Sequence, residues 1–190
     1  MSDRLAKIYQ CPKTVFTTRD LALLWEETDQ NRIKSAIYYY VKIGKLIRIS
    51  RGIFAKMKKY NPKDLAASIY SPSYISFETV LLQAGLIFQY YETIFLAGPF
   101  SKDIKIDNYK FTFRKMKPYI LFSTRGLLYK ETYWIASTER AFLDMLYLYP
   151  RYGFDNLRPI NWEQCFELVA LYNNKQLEKR LKKYFKEYAQ

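Results

Sequence analysis

The sequence predicts an α+β protein made of two domains, with a boundary near residue 60. Apolar residues recur at helical spacing in the first forty residues and then alternate with polar residues over 46–56. A charged stretch then leads into Asn61-Pro62, where the proline disfavours helix at the residue before it. The first 60 residues also hold 13 basic and 5 acidic side chains, an excess of 8, whereas residues 61–190 hold 18 basic and 13 acidic ones, an excess of 5 in a longer segment. We therefore expect one domain over 1–60 and a second over 61–190.

The composition excludes several kinds of catalytic and metal site. The chain has 190 residues and no histidine, so it cannot carry a Ser-His-Asp triad, a Cys-His pair or a zinc site with histidine ligands. Its two cysteines, Cys11 and Cys165, lie far apart and have no neighbouring cysteine. This spacing predicts neither a disulfide framework nor a metal cluster. We expect no metal and no cofactor.

The charge of the chain predicts an anionic partner. The formal net charge is +13, and 49% of the residues are hydrophobic, which is typical of a folded protein. The first ten residues lack the apolar core of a signal peptide, and no apolar run reaches the roughly 18 residues that span a bilayer. We expect a cytoplasmic protein without a membrane partner. Nucleic acid is the commonest partner of such a charge, and an anionic membrane surface is the alternative.

Helix signals follow one another in the first domain. A helix is expected over 2–9, and Thr17-Thr18 caps a second, short helix. A third begins after Asp29 and ends at Gly44, a residue type favoured just beyond a helix end. Its apolar positions share one face: Ile33, Ala36, Ile37, Tyr40 and Val41. Its opposite face holds donors and aromatic rings but no carboxylate: Arg32, Lys34, Ser35, Tyr38, Tyr39 and Lys42.

The pattern changes to that of a β-hairpin after Gly44. Residues 46–49 and 53–56 alternate as strands around a glycine-bearing turn, with Arg51 at its tip. Helix, turn, basic helix and basic hairpin, in that order, predict a winged helix-turn-helix whose second helix enters the major groove of double-stranded DNA. Each single cation could instead be ordinary surface charge.

The predicted DNA contacts divide into two kinds. Base edges, which specify a sequence, would be met by three side chains of the basic helix: Arg32, Ser35 and Tyr38. Phosphates, which position the protein, would be held by five cations: Lys34, Lys42, Arg48, Arg51 and Lys56.

The second domain is predicted as a small, mostly antiparallel sheet flanked by helices. Strands are expected at 93–96, 105–106, 109–113, 120–122 and 128–134. Helices are expected at 64–70, 76–85, 138–148, 162–172 and 175–188. The last of these is basic and amphipathic, and three roles are open for it: packing on the domain, contact with nucleic acid or an acidic protein, and contact with a membrane surface.

Candidate catalytic acids are few. Asp103 and Asp107 lie four positions apart, which does not bring two side chains to one side of a strand, so we expect no metal site there. Glu78, Glu139 and Asp144 could form a carboxylate group, but we interpret them as structural, because Glu139 lies in a first helical turn, where negative charge is favoured. The chain is therefore predicted not to be an enzyme.

The predicted winged helix is followed by Ser73-Tyr74-Ile75-Ser76-Phe77-Glu78-Thr79-Val80-Leu81 and Gly85-Leu86-Ile87, and later by Ala136-Ser137-Thr138-Glu139-Arg140-Ala141-Phe142-Leu143-Asp144. In this order the winged helix and these segments resemble the AbiEi-type antitoxin regulators. The resemblance spans roughly residues 14–150. It implies the antitoxin of a type IV toxin-antitoxin system linked to abortive phage infection. In that family the winged helix represses the operon promoter, and the C-terminal domain opposes a nucleotidyltransferase-like toxin. By resemblance, Arg32, Lys34, Ser35, Tyr38 and Arg51 would contact the operator.

Two other classes of function stay open at this point. A nucleic-acid-processing enzyme would need a clustered pair of acids, and an RNA-binding module would stack unpaired bases on some of the 19 tyrosines. The sequence leaves open whether the protein is a monomer or a dimer.

Overall fold

The structure, a computed structural model, describes residues 3–188. Its internal contacts divide the chain into two compact units. The N-terminal unit runs through Ile69 and includes two later segments, Ile106–Asn108 and Glu131–Tyr133. The C-terminal unit comprises Tyr70–Lys105, Tyr109–Lys130 and the chain from Trp134 onward. The chain is α+β, as the sequence predicts.

In its described residues, from Asp3 onward, the N-terminal unit combines four helices with a three-stranded antiparallel sheet. The elements in chain order are α1 (Asp3–Gln10), β1 (Val15–Thr17), α2 (Thr18–Leu24), α3 (Gln30–Lys42), β2 (Ile47–Ser50), β3 (Ile53–Ala55) and α4 (Pro62–Ile69). The sheet order is β1-β3-β2, so that β3 pairs with both of the others.

The predicted caps define the ends of α2 and α3. The Thr17 hydroxyl accepts from the Asp20 amide, and the Asp20 carboxylate accepts from the Thr17 amide, which makes a capping box at the start of α2. The Asp29 carboxylate accepts from two amides at the start of α3. Gly44 follows α3 with a φ of +70°, a left-handed conformation that glycine adopts without strain. These cap predictions are confirmed.

The apolar face of α3 lies in the core of this unit. Ile33 has no exposed surface, and Ile37 and Tyr40 are also buried. They belong to a cluster with residues of α1, α2 and the sheet: Leu5, Ile8, Phe16, Leu21, Trp25, Leu46 and Phe54. Because α3 buries this face, its opposite face is held outward.

The first unit extends past the boundary predicted at residue 60. Helix α4 belongs to it because the buried Asp64 carboxylate accepts from both the amide and the hydroxyl of Thr14, at 2.8 and 2.6 Å. The Thr132 hydroxyl also donates to Asp64, and the Tyr60 hydroxyl donates to Asp107. The first compact unit thus continues to Ile69, past the boundary predicted near residue 60 between 1–60 and 61–190. These contacts join residues distant in the sequence, which a proline-based boundary cannot detect.

A six-stranded mixed sheet falls mainly in the C-terminal unit. Its strands are β4 (Tyr74–Ile75), β5 (Thr93–Gly98), β6 (Lys102–Ile106), β7 (Tyr109–Lys115), β8 (Leu127–Lys130) and β9 (Tyr133–Ala136). Their order is β6-β7-β5-β4-β9-β8. The β5–β7 and β4–β9 pairs are parallel, whereas β4–β5 is antiparallel. The expected mostly antiparallel sheet is therefore corrected to a mixed one, since β7 inserts beside β5 after the chain has reversed direction twice.

Helices surround this sheet. They are α5 (Glu78–Gln83), α6 (Pro118–Leu121), α7 (Thr138–Leu148), α8 (Trp162–Val169), a 3-10 turn (Ala170–Tyr172) and α9 (Lys175–Tyr188). The ranges predicted for α7 and α9 are confirmed. The strand expected at 120–122 is wrong, because Pro118 starts the short helix α6 there. The single strand expected over 128–134 is instead a hairpin of β8 and β9.

A charged network lies at the centre of the C-terminal unit. Arg140 and Asp144 have no exposed side-chain surface, and Arg140 Nε lies 3.4 Å from Asp144 Oδ1. The two atoms are close enough for an ion pair, but Arg140 Nε makes no hydrogen bond. Asp144 instead accepts from three hydroxyls, those of Ser76 at 2.7 Å, Tyr172 at 2.7 Å and Tyr74 at 3.0 Å. Burial raises the pKa of Asp144, while Arg140 and these hydroxyls oppose that rise.

The two buried tyrosines predict a loss of stability in alkali. Burial raises the pKa of Tyr74 and Tyr172 well above the ordinary value of 10.0, and the charge of Asp144 adds to the effect. Above about pH 10 the unfolded chain loses protons that the folded chain keeps, so the free energy of unfolding falls as pH rises, by about 1.4 kcal/mol per pH unit for each such tyrosine. Below that pH the contribution is fully present.

Urea denaturation at pH 8, 9, 10 and 11 checks this expectation. The wild type is compared with Tyr172→Phe, which removes one of the two buried hydroxyl groups. Lysines and exposed tyrosines titrate equally in both proteins, so their effect on stability cancels in the comparison. We expect the variant to lose less stability per pH unit above pH 10. Equal slopes for the two proteins would contradict the assignment.

Candidate nucleic-acid interface

The outward face of α3 carries the predicted contact residues in exposed positions. The Arg32 side chain is 73% exposed, and Tyr38 is 70% exposed. Lys34, Ser35 and Lys42 are also exposed. The closest carboxylate in sequence is Asp29, whose pKa is lowered mainly by the hydrogen bonds that it accepts from the Arg32 and Asn31 amides, and it lies 3.7 Å from the Arg32 guanidinium. The face itself contains only cations and neutral groups.

The hairpin of β2 and β3 presents two further cations. Arg48 on β2 and Arg51 at the turn are both exposed. The register shifts between Arg48 and Ser50, as in a β-bulge, which bends a strand and redirects its side chains. Gly52 has a φ of +74°, and its carbonyl accepts from the Thr18 amide at 3.0 Å. This hydrogen bond fixes the hairpin turn against the start of α2.

Helix α3 and the hairpin enclose a groove of about 340 Å³ within the N-terminal unit. Three cations line it, Lys34 from the helix and Arg48 and Arg51 from the hairpin, together with the ring of Tyr38. Ile37, Val41 and Phe54 supply its apolar surface, and Thr18 and Gly52 complete it. Among residues 3–188, no carboxylate lines this groove. An anion with a flat or apolar part fits such a surface better than a cation does.

The predicted contact residues therefore separate into three groups. Lys34, Tyr38, Arg48 and Arg51 are brought together in the groove. Arg32, Ser35 and Lys42 lie outside the groove lining, on the exposed side of α3. Lys56 is not part of this surface: it is half-buried just after β3, and its ammonium donates to the Cys11 carbonyl at 2.6 Å. Sequence alternation alone could not show that this lysine has an internal partner.

Five lining residues are not among the contacts that the sequence predicts: Thr18, Ile37, Val41, Gly52 and Phe54. The sequence predicts Thr18 only as part of a helix cap, yet its hydroxyl faces the hairpin turn, since a Cβ on Gly52 would lie 3.6 Å from Thr18 Oγ1. Phe54 is buried as a strand residue and also contributes to the groove. Tyr39, by contrast, packs edge-on against Tyr40 with ring centroids 5.4 Å apart and does not line the groove.

Each acid considered for catalysis interacts with a different partner. The Glu78 carboxylate forms an ion pair with the Arg114 guanidinium at 2.6 Å, and the Asp144 carboxylate belongs to the buried network of Arg140. Glu139 accepts from the Asn161 amide at 3.3 Å, and Asp103 accepts from the Thr112 hydroxyl at 2.7 Å. Over residues 3–188 no three Asp, Glu or Cys side chains are grouped as metal ligands would be.

The same part of the chain contains no helix that is both long and apolar enough to span a membrane. No protein-family model matches the chain, and no characterised protein matches it in sequence.

Proposed function

We propose that the N-terminal unit is a winged helix-turn-helix that binds double-stranded DNA, and that the protein is a transcriptional regulator in the cytoplasm that represses its own operon. The observation that carries the proposal is the groove between α3 and the hairpin. Cations from two different elements converge in it, and no carboxylate lines it. A helix and a hairpin that present cations on one side match the way in which such domains hold the major groove and the adjacent backbone.

The division of contacts follows from the position of each side chain. Helix α3 enters the major groove, where Arg32, Ser35 and Tyr38 meet base edges from its exposed face. Lys34, Lys42, Arg48 and Arg51 hold phosphates on either side of it, with the two arginines acting from the hairpin. Lys56, whose ammonium is bonded to a backbone carbonyl, is left out of the contact set.

The antitoxin role is the second part of the proposal, and the resemblance to AbiEi-type regulators supports it. Under this proposal the C-terminal unit opposes a nucleotidyltransferase-like toxin encoded beside it. The residues of the resemblance include Tyr74, Ser76, Arg140 and Asp144, which form the central network of that unit. They would thus maintain the fold of the antitoxin unit, and the surface that opposes the toxin would lie elsewhere on it.

A reporter assay tests the regulatory role. The region upstream of the operon drives a reporter gene in cells that supply the protein from a second plasmid. We expect the wild-type protein to repress the reporter and Arg51→Gln to repress it less, because a phosphate contact from the hairpin is lost. Lys102→Gln, an exposed lysine of β6, is the control and should repress like the wild type. Equal expression with and without the wild-type protein would reject the repressor.

A co-expression assay tests the antitoxin role separately. Cells that express the neighbouring toxin gene should recover growth when the full-length protein is present. Arg51→Gln should retain this rescue, because the proposal assigns DNA binding to the N-terminal unit and neutralisation to the C-terminal one. Failure of the wild-type protein to restore growth would reject the antitoxin role and leave the repressor proposal standing.

A further inference from the structure

Helix α9 exposes a straight row of four lysines, which we call the lysine row: Lys175, Lys179, Lys182 and Lys186. The steps of four, three and four residues keep these side chains within one narrow sector of the helix. All four are exposed, and the row extends over about 16 Å at 1.5 Å per residue. Of the two carboxylates of α9, Glu178 borders this sector, three positions after Lys175 and four before Lys182, and Glu187 is 3.7 Å from Lys183.

The opposite side of α9 is occupied by its own unit. Leu177 and Leu181 have no exposed surface. The Tyr184 hydroxyl donates to the Tyr152 carbonyl at 2.8 Å, and the Arg180 guanidinium donates to the Leu146 carbonyl at 3.0 Å. A membrane-surface helix inserts its apolar face among the lipids, whereas Leu177 and Leu181 of this face are buried in the unit, with Phe185 and Tyr188 left 42% and 55% exposed near its C-terminal end. The lysine row therefore faces outward on a helix fixed in place by packing.

The chemistry of the row favours nucleic acid over an acidic protein. Protein interfaces are poor in lysine, because a flexible, strongly hydrated ammonium is costly to desolvate and to order. A phosphate backbone needs no such desolvation: each strand carries about one charge per 3.4 Å of duplex axis, and bound lysines gain free energy by releasing counterions. A row of about 16 Å is long enough to meet several successive phosphates of one strand.

We propose that the lysine row is a second nucleic-acid contact, which holds a phosphate backbone without reading its sequence. It goes beyond the repressor function, because it concerns the C-terminal unit and sequence-independent binding. The ligand is the backbone of double-stranded DNA, the polyanion that the proposed DNA-binding domain would also meet.

The test replaces all four lysines of the row with glutamine in the full-length protein. Binding to a scrambled duplex is measured by fluorescence anisotropy at several salt concentrations, beside binding to a duplex from the operon's upstream region. We expect the slope of log affinity against log salt to fall by about 3 to 4, and affinity near 0.1 M salt to fall by about tenfold or more. The loss should be the same on both duplexes.

A matched control separates this surface from total charge. Lys102, Lys105, Lys110 and Lys115, all exposed on β6 and β7, are replaced with glutamine to give the same change in net charge. We expect the control to keep most of the slope, and both variants to retain the circular dichroism and melting temperature of the wild type. An unchanged slope in the row variant, or equal losses in both variants, would overturn the proposal.

The two duplexes keep the two proposals distinguishable. If the wild-type protein binds both duplexes equally, the sequence-specific repressor is rejected, and the slopes on the scrambled duplex still decide the role of the lysine row. If selectivity is present but the row variant binds like the wild type, only the lysine-row proposal fails.

Discussion

Replacing Arg140 with methionine is expected to lower the free energy of unfolding by about 3–5 kcal/mol, the usual cost of breaking a buried ion pair on one side. The variant leaves the buried Asp144 carboxylate without its cation. It also removes the donors to the Arg125 and Ile120 carbonyls, which Arg140 contacts at 2.6 and 2.9 Å. Urea denaturation followed by far-UV circular dichroism measures the loss.

A double variant distinguishes the effect of breaking the ion pair from the effect of losing packing. Arg140→Met combined with Asp144→Leu removes both charges, so it should be more stable than Arg140→Met alone, although the two carbonyls and the hydroxyls of Tyr74, Tyr172 and Ser76 still lose partners. Arg158→Met, an exposed position, should be close to neutral. If Arg140→Met lowered the free energy of unfolding by less than about 1 kcal/mol, the buried network would not be what stabilises this unit.

The second large effect is expected on DNA binding when the groove loses its cations. The triple variant Lys34→Gln, Arg48→Gln and Arg51→Gln should lower the slope of log affinity against log salt by about 3, because the proposed function assigns one phosphate contact to each of these cations. Affinity for the upstream duplex near 0.1 M salt should fall by about 100-fold. Fluorescence anisotropy measures both quantities.

The triple variant should also fold normally, because all three side chains are exposed. Its control is the triple glutamine variant of Lys102, Lys105 and Lys115, which makes the same charge change on β6 and β7. If the two triple variants lose the same affinity, the groove has no special role. If the groove variant keeps the wild-type slope, the helix and hairpin do not hold phosphates.

The N-terminal unit shows why local patterns predicted so much of it. Its helices begin at side-chain caps, Thr17 and Asp29, whose hydrogen bonds reach only two or three residues along the chain. The apolar face of α3 follows from its helical period, and Gly44 marks its end. The exposure of Arg32, Lys34 and Tyr38 follows directly, because burying one face of a helix exposes the other.

The C-terminal unit shows where such patterns fail. Strand β4 has two residues, too few for any period, yet it joins β5 to β9 in the sheet. The turn between β8 and β9 uses Glu131 at a φ of +55°, a conformation that sequence rules assign to glycine or asparagine. The Arg140–Asp144 pair lies within one helix, but its hydroxyl partners come from β4, the residue after it and the 3-10 turn.

Long-range contacts also explain features of Lys56 and Asp64 that the sequence does not predict. Lys56 has the alternation of a strand cation, but its partner is the carbonyl of Cys11, 45 positions earlier. Asp64 has the position of a helix cap, but it is the acceptor for Thr14, 50 positions earlier. Only the folded chain shows these partners, since no local rule links residues so far apart.

The most direct test of the DNA-binding proposal is the affinity of the purified wild-type protein for a duplex from its own upstream region, compared with a scrambled duplex of the same length and composition, at two salt concentrations. We predict tight binding to the upstream duplex, weaker binding to the scrambled one, and loss of affinity for both as salt rises. Equal affinity for the two duplexes, or stronger competition by single-stranded RNA than by duplex DNA, would contradict the proposal.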